Sequence, residues 1–409
     1  MRESHLKSLL NDSASGSPRS RIVRTLSERG MLPAIELARI TGLARSTVST
    51  ALADLRKSRI VVEVGTQDES ARGVGRPATV LSLNPQAGTC VGFHLGLAEI
   101  KIVLADVAHS IIDERVIELG RDYLPEHVAA VAKRAVAQAY RENGLQLSGL
   151  LGVGVSVSGP VSPDGQVQRG GILPNWVGVN VPALFGGMFD RAIHADNESN
   201  CAAIAEMMWG AAAGHKDFIL FKIDLGVGGA IMIDGHVVTG AAGGAGEFGH
   251  VSIDPNGELC RCGNRGCLEI TASFNRPLAQ MAKIHNRPMT MDDVIVLADG
   301  GDLGARRLIE DTGEVAGRGL AQIGTILNPK LIIIGGRMAL AGDILLVPLK
   351  KAFGKHTLIK HHDVAPRMRT EIRIGKFTEN DALLGAVGLV LRGRGKIKSP
   401  AIATARTRT

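Results

Sequence analysis

The stretch Gly246–Glu269, GEFGHVSIDPNGELCRCGNRGCLE, constrains this 409-residue chain more than any other. His250 is followed at ten, twelve and seventeen residues by Cys260, Cys262 and Cys267. Three of the five cysteines thus fall within eight residues, among small and polar residues suited to tight turns. Three thiolates and one imidazole fill the four positions of a tetrahedral zinc ion, so the spacing predicts a closed, structural Zn2+ site. A disulfide is the poorer reading. Cys260 and Cys262 are too close to pair comfortably, the cysteine count is odd, and no export signal points to an oxidising compartment. Cys90 and Cys201 read as small buried hydrophobes. Glu247 and Glu269 bracket the knot, and a metal-closed loop holds both on one rigid surface.

The length implies two or three domains, and the charge divides the chain. Met1–Pro85 carries 13 Lys+Arg against 8 Asp+Glu, and Leu391–Thr409 carries 6 against none, whereas the middle has 28 against 32. A basic head on a mildly acidic body suggests a nucleic-acid-binding module joined to something else. At 3% aromatics, the composition argues against a stacking platform for single strands. Residues 1–18 are polar and expected to be disordered; residues 393–409 read as a solvated basic tail. No run of 18 apolar residues exists and Met1–Ser20 is polar, so the chain is expected to be cytoplasmic, with no membrane partner.

Within residues 19–85 the apolar periodicity predicts helices from Ser20 to Gly30, over Ala34–Ile40 and over Arg45–Lys57. Thr41–Gly42–Leu43 forms the tight turn between the last two, the layout of a helix-turn-helix. Val48, Leu52 and Leu55 face inward, which leaves Arg45, Ser46, Thr47, Ser49 and Thr50 outside near the start of the reading helix. Short polar residues and an arginine there can reach base edges and phosphates of double-stranded operator DNA. Strands at Ile60–Val64 and Ala78–Leu83 make a β-wing with Arg72 and Arg76 at its tip, suited to phosphate or a narrow minor groove.

Residues 86–392 alternate strands and helices, which is an α/β pattern. Phe93–Asp106 and Ile223–Gly235 each read as strand, Leu-Gly turn, strand, hinting at two lobes of shared plan around a cleft. Turns of this kind bring backbone N–H groups to phosphates, but ordinary hairpins need them too.

The zinc-loop residues, with VGVSVSGPVSPDG, LPNW, ADNESN, IDLGVGG and LNPKLIIIGG, resemble the signature of the ROK family (repressors, open reading frames and sugar kinases) over roughly Val91–Gly388. The resemblance implies a two-lobed, actin-like ATPase (ribonuclease H-like) fold, preceded in the regulators by a winged helix-turn-helix. It implies that His250, Cys260, Cys262 and Cys267 bind zinc, and that Asn175, Asn197, Glu198, Glu247, His250 and Glu269 face a sugar. Two departures separate the chain from the kinases. The Asp of the kinase phosphate turn is replaced by His94, with Ala98 and Glu99 where a Thr hydroxyl belongs, and Glu99 would repel phosphate. The catalytic Asp position is held by Glu198, whose extra methylene displaces the carboxylate. The expectation is therefore a regulator, most simply a repressor of carbohydrate-utilisation genes, acting as a homodimer or tetramer. A sugar or sugar-phosphate would be its effector, without ATP as cofactor; an ATP-dependent hexose kinase carrying a DNA-binding domain is the alternative.

Overall fold

The fold is seen in a computed structural model that describes residues 2–12, 16–66 and 79–392. The head is built from α1 (Arg2–Asn11), α2 (Pro18–Arg29), β1 (Leu32–Pro33), α3 (Ala34–Thr41), α4 (Arg45–Lys57), β2 (Val61–Thr66) and β3 (Thr79–Leu83). Ser17 caps α2 through its hydroxyl, which accepts from the Ser20 amide at 3.2 Å, and Pro18 occupies the first turn, where a missing N–H costs nothing. The α3–α4 turn requires Gly42, which sits in the left-handed region at φ 65°. α4 buries Val48, Ala51, Leu52 and Leu55. The three strands pair in the order β1–β3–β2. The expectation that residues 1–18 are disordered does not hold for the first helix. α1 buries Leu6, Leu9 and Leu10 in the core that α2 also fills, and this tertiary burial outweighs its polar composition.

Lobe I contains β4 (Thr89–Leu95), β5 (Glu99–Asp106), β6 (Ile111–Glu118), α5 (Pro125–Glu142), β7 (Leu150–Val157), α6 (Val181–Phe189) and β8 (Ala192–Asn197). Helix α7 (Glu198–Trp209) leads to lobe II: β9 (Phe218–Ile223), β10 (Val227–Ile233), β11 (His236–Val237), α8 (Leu268–Ala272), α9 (Asn275–Ile284), α10 (Met291–Asp299), α11 (Leu303–Leu327), β12 (Leu331–Gly335), α12 (Asp343–His356) and β13 (Glu371–Ile374). Helix α13 (Asp381–Arg392) closes the described chain. The sheets run β6–β5–β4–β7–β8 and β11–β10–β9–β12–β13. In each, a hairpin (β4/β5, β9/β10) continues into parallel strands, so the two similar sequence segments are the same hairpin in two lobes of one plan. This is a mixed α/β, two-lobed body behind a helix-turn-helix head. Several elements escaped the sequence reading, among them α6, β8, α10, α12 and β13. Pro348 inside α12 breaks the helical pattern, and β13 is only four residues long.

Helices α7 and α13 lie against each other between the lobes. The fit is close enough that a Cβ on Gly385 would overlap the Cys201 carbonyl, and α13 sits as closely on β7, where a Cβ on Gly154 would overlap the Ala386 carbonyl. One apolar core joins the head to these helices, with Leu6, Ile22, Val23 and Leu26 in the same cluster as Cys201, Ile204, Leu383 and Val387. Among the described residues no helix is long and apolar enough to cross a membrane.

Candidate functional site

The candidate metal loop is assembled by turns. The segment before it ends in a short 3-10 turn, Phe248–His250, and Cys267 stands at the N-terminus of α8. Between them, the Cys260 amide donates to the Asn264 carbonyl at 2.7 Å, and Gly263 takes φ 96°. The ligand atoms of His250, Cys260, Cys262 and Cys267 all lie within 4.8 Å of one another. Cys262 Sγ is 3.6 Å from Cys267 Sγ, and Cys260 Sγ is 3.7 Å from His250 Nδ1. Tetrahedral Zn–S bonds of ~2.3 Å put sulfurs roughly 3.8 Å apart, so the donor set and its spacing fit a metal ion. No cysteine is in a disulfide. Nδ1 of His250 faces the Cys260 sulfur, which leaves Nε2 as the ring nitrogen for any second partner.

The carboxylates come together beside this loop. Glu269 Oε2 accepts from the Val227 amide at 3.3 Å, and its Oε1 accepts from Arg261 Nε at 3.1 Å. Glu198 opens α7 and accepts from the Ser158 hydroxyl at 2.7 Å. Burial pushes the Glu247 carboxyl up to about 7; the Arg261 guanidinium opposes this, and the Glu198 and Glu269 carboxylates add to it. The two asparagines are placed differently. Asn197 is the N-cap of α7: its Oδ1 accepts from the Ser199 amide at 2.7 Å, and its Nδ2 donates to the Gly159 carbonyl at 2.9 Å. Asn175 is exposed, and its Nδ2 donates to the Asp122 carbonyl at 2.7 Å. Both amides therefore have backbone partners, and no contact ties Asn175 to the carboxylates.

At the β4/β5 turn, His94 Nδ1 pairs with the Ser156 hydroxyl at 3.2 Å. Burial lowers its pKa against the pull of Glu198, so the ring is held neutral. Glu99 neighbours Lys101 at 3.5 Å. The facing strand of lobe II supplies Lys222, whose Nζ is 2.9 Å from Asp381 of α13, both almost fully buried. Burial works against the lysine charge, but Asp381, then Glu198 and Asp224, hold its pKa above the ordinary value. Burial likewise pushes Asp224 up to about 6, opposed by Lys222. Lys222, Asp224, Asp381, Ser158 and Arg261 were missed as site residues. The signal for Lys222 was present: a lysine in the otherwise apolar strand FILFKI must be paired if it is buried.

On α4, Arg45, Ser46, Ser49 and Thr50 are exposed and Thr47 is half-buried. The Thr50 hydroxyl donates to the Ser46 carbonyl at 3.1 Å. Arg72 and Arg76 lie outside the described residues. Head and body meet at a second polar cluster, which the sequence did not disclose. The Ser27 hydroxyl of α2 donates to the Leu391 carbonyl of α13 at 2.8 Å. His109 Nε2 is 2.6 Å from the Ser27 carbonyl, and Trp209 Nε1 donates to His109 Nδ1 at 2.7 Å. An indole N–H only donates and a carbonyl only accepts, so His109 is the neutral Nε2–H tautomer.

Residues 90–392 match the ROK family, and residues 17–62 match the arsR family of bacterial regulatory proteins. The xylose repressor of Caldicellulosiruptor bescii is 26% identical over 389 residues, covering 90% of this chain and 94% of that protein. The glucokinase of Halalkalibacterium halodurans is 28% identical, with 94% of it aligned to 73% of this chain. A solved ROK family transcriptional regulator, a homologue of the E. coli Mlc protein, superposes with a TM-score of 0.73 at 23% identity over 92% of this chain and 96% of that one, showing the shared fold.

Proposed function

Because the chain belongs to the ROK family, we propose that it is a transcriptional repressor of carbohydrate-utilisation genes that binds operator DNA and answers to a sugar. The observation that carries this reading is the joining of two parts in one molecule. A reading helix with an exposed polar face, α4, shares a core with the helices that also shape the carboxylate cluster. The similarity to the xylose repressor extends over the head as well as the body, whereas the glucokinase match covers only 73% of the chain.

The head contacts DNA through Arg45, Ser46, Thr47, Ser49 and Thr50, with Arg72 and Arg76 of the wing on the backbone or minor groove. A homodimer, or a tetramer of dimers, reads a pseudo-palindrome with half-sites one or two helical turns apart. The sugar is held by Glu198, Glu247, His250 Nε2 and Glu269, planar groups that offer paired hydrogen bonds to vicinal hydroxyls; Asn197 orients Glu198 by capping α7. Three converging carboxylates favour a neutral sugar over its phosphate ester. His250, Cys260, Cys262 and Cys267 hold Zn2+, whose part is to fix the loop that carries Glu247 and Glu269. The chain does not phosphorylate its sugar. Phosphoryl transfer needs groups that receive the nucleotide phosphates, and here a neutral imidazole stands at the turn while Lys222 is matched to Asp381.

Helix α7 supplies the route between the sites. Its first residue, Glu198, is in the carboxylate cluster, and its last, Trp209, donates to His109, which holds Ser27 of the head. A 12-residue helix is a rod of about 18 Å that transmits a shift at one end to the other. Fluorescence anisotropy of the protein on its own upstream DNA, with and without D-xylose, D-glucose and their phosphate esters, tests the reading. A neutral sugar should change the DNA affinity, and Glu247→Ala should lose that change while still binding DNA. Sugar-dependent ADP release in a coupled assay would revive the kinase alternative, and a Glu247→Ala protein with a full sugar response would sink the assignment of the pocket.

A further inference from the structure

We propose that Arg261, between two of the metal-ligating cysteines, is a positioning residue that orients Glu269 and latches the metal loop to lobe I. Its guanidinium is divided between two partners. Nε donates to Glu269 Oε1 at 3.1 Å, and Nη1 donates to the Gly170 carbonyl at 2.8 Å. Glu269 stands at the start of α8 in lobe II, whereas Gly170 belongs to the lobe I loop that follows β7, so one side chain spans the opening between the lobes. The two bonds differ in kind. The first is charge-assisted and leaves Oε2 of Glu269 to accept from the Val227 amide at 3.3 Å, which fixes the carboxylate plane from both sides. The second crosses to a loop that is itself tightly packed: a Cβ on Gly171 would come within 2.9 Å of Gly159 and 3.0 Å of the Ser158 carbonyl. Ser158 is the partner of Glu198. Arg261 therefore ties Glu269 and the Ser158–Glu198 pair into one rim. Lysine cannot replace it in full, because a single ammonium on a flexible stem lacks the planar fork that serves two acceptors in fixed directions.

This inference rests on the sugar-binding reading of Glu198 and Glu269, and the test separates the two. Amide hydrogen exchange on the zinc-loaded, sugar-free protein asks about the latch alone. Arg261→Ala should speed exchange at Val227 and in the 168–172 loop by roughly 10-fold or more, since each local hydrogen-bonded contact is lost. Metal content should stay at one zinc per chain. Calorimetric titration with D-xylose and D-glucose then asks about the sugar. Arg261→Ala should weaken whichever of them binds by roughly 10- to 100-fold, and Arg261→Lys should recover part of the loss. Unchanged exchange at both segments overturns the latch whatever the sugar result. Equal losses in the Ala and Lys variants accompanied by loss of zinc also overturn it, because the arginine would then act only through the folding of the metal loop. If the wild-type protein binds no sugar while the exchange change appears, the latch stands and the sugar reading of the cluster fails.

Discussion

Replacing His109 by phenylalanine keeps a ring of similar size in the head–body joint but removes both of its hydrogen bonds. The Ser27 carbonyl loses its donor and the Trp209 indole N–H loses its acceptor. A buried polar group left without a partner costs about 1–3 kcal/mol. The cluster is only partly buried, which favours the lower part of that range, so the two together cost about 2–4 kcal/mol. That cost is comparable with a typical coupling energy of about 1–3 kcal/mol between an effector and a distant site. The joint should therefore slip before it transmits. Urea unfolding followed by tryptophan fluorescence is a direct assay, since Trp209 is one of two tryptophans and touches the substituted residue. The expected result is an earlier loss of the Trp209 signal, together with a sugar effect on DNA affinity cut to within about 2-fold. His109→Gln, which keeps one donor and one acceptor, should recover part of both. A pH series adds a second check. Burial lowers the His109 pKa from its ordinary 6.5, so the fold prefers the neutral ring. Its contribution is complete above pH 6.5 and is lost as pH falls toward the lower folded value. That acid-sensitive component should be missing from the phenylalanine variant. A variant with unchanged unfolding, unchanged acid sensitivity and a full sugar response would refute the coupling route.

Three further outcomes are expected. Gly385→Ala should destabilise the protein by about 3 kcal/mol in urea titrations, because its Cβ must overlap the Cys201 backbone of α7; Gly186→Ala in α6, where nothing lies within 4 Å of the added Cβ, should instead be neutral or stabilising by about 0.5–1 kcal/mol. Lys222→Met leaves Asp381 buried without its cation and should cost about 3–5 kcal/mol, with the double variant Lys222→Met/Asp381→Leu recovering part of it; an undiminished melting temperature in the single variant would show that the pair does not hold the interlobe joint. Chelation should loosen Gly246–Glu269 toward protease and abolish the sugar response while the head still binds DNA, and loss of DNA binding first would contradict the structural role given to the metal.

The sequence alone determined the local elements with strong internal grammar. Arg45–Lys57 is read to the residue, because a helical apolar period is a property of neighbouring residues. The His/Cys cluster that could hold a metal was legible for the same reason, since its four residues are close in the chain and only a few ligand sets suit a tetrahedral ion. The chain order could not disclose which polar groups find each other across the fold. Lys222 and Asp381, Arg261 and Gly170, and Ser27 and Leu391 are pairs made by the stacking of lobes and head. Asn175 and Asn197 matched a motif, yet their amides are engaged by backbone groups that only the fold brings near. Helix α1 was read as loose because its own composition cannot stabilise it; the head's core does that from outside. Short-range pattern thus decides which elements form, whereas burial and hydrogen-bond satisfaction between distant segments decide what each polar side chain is able to do.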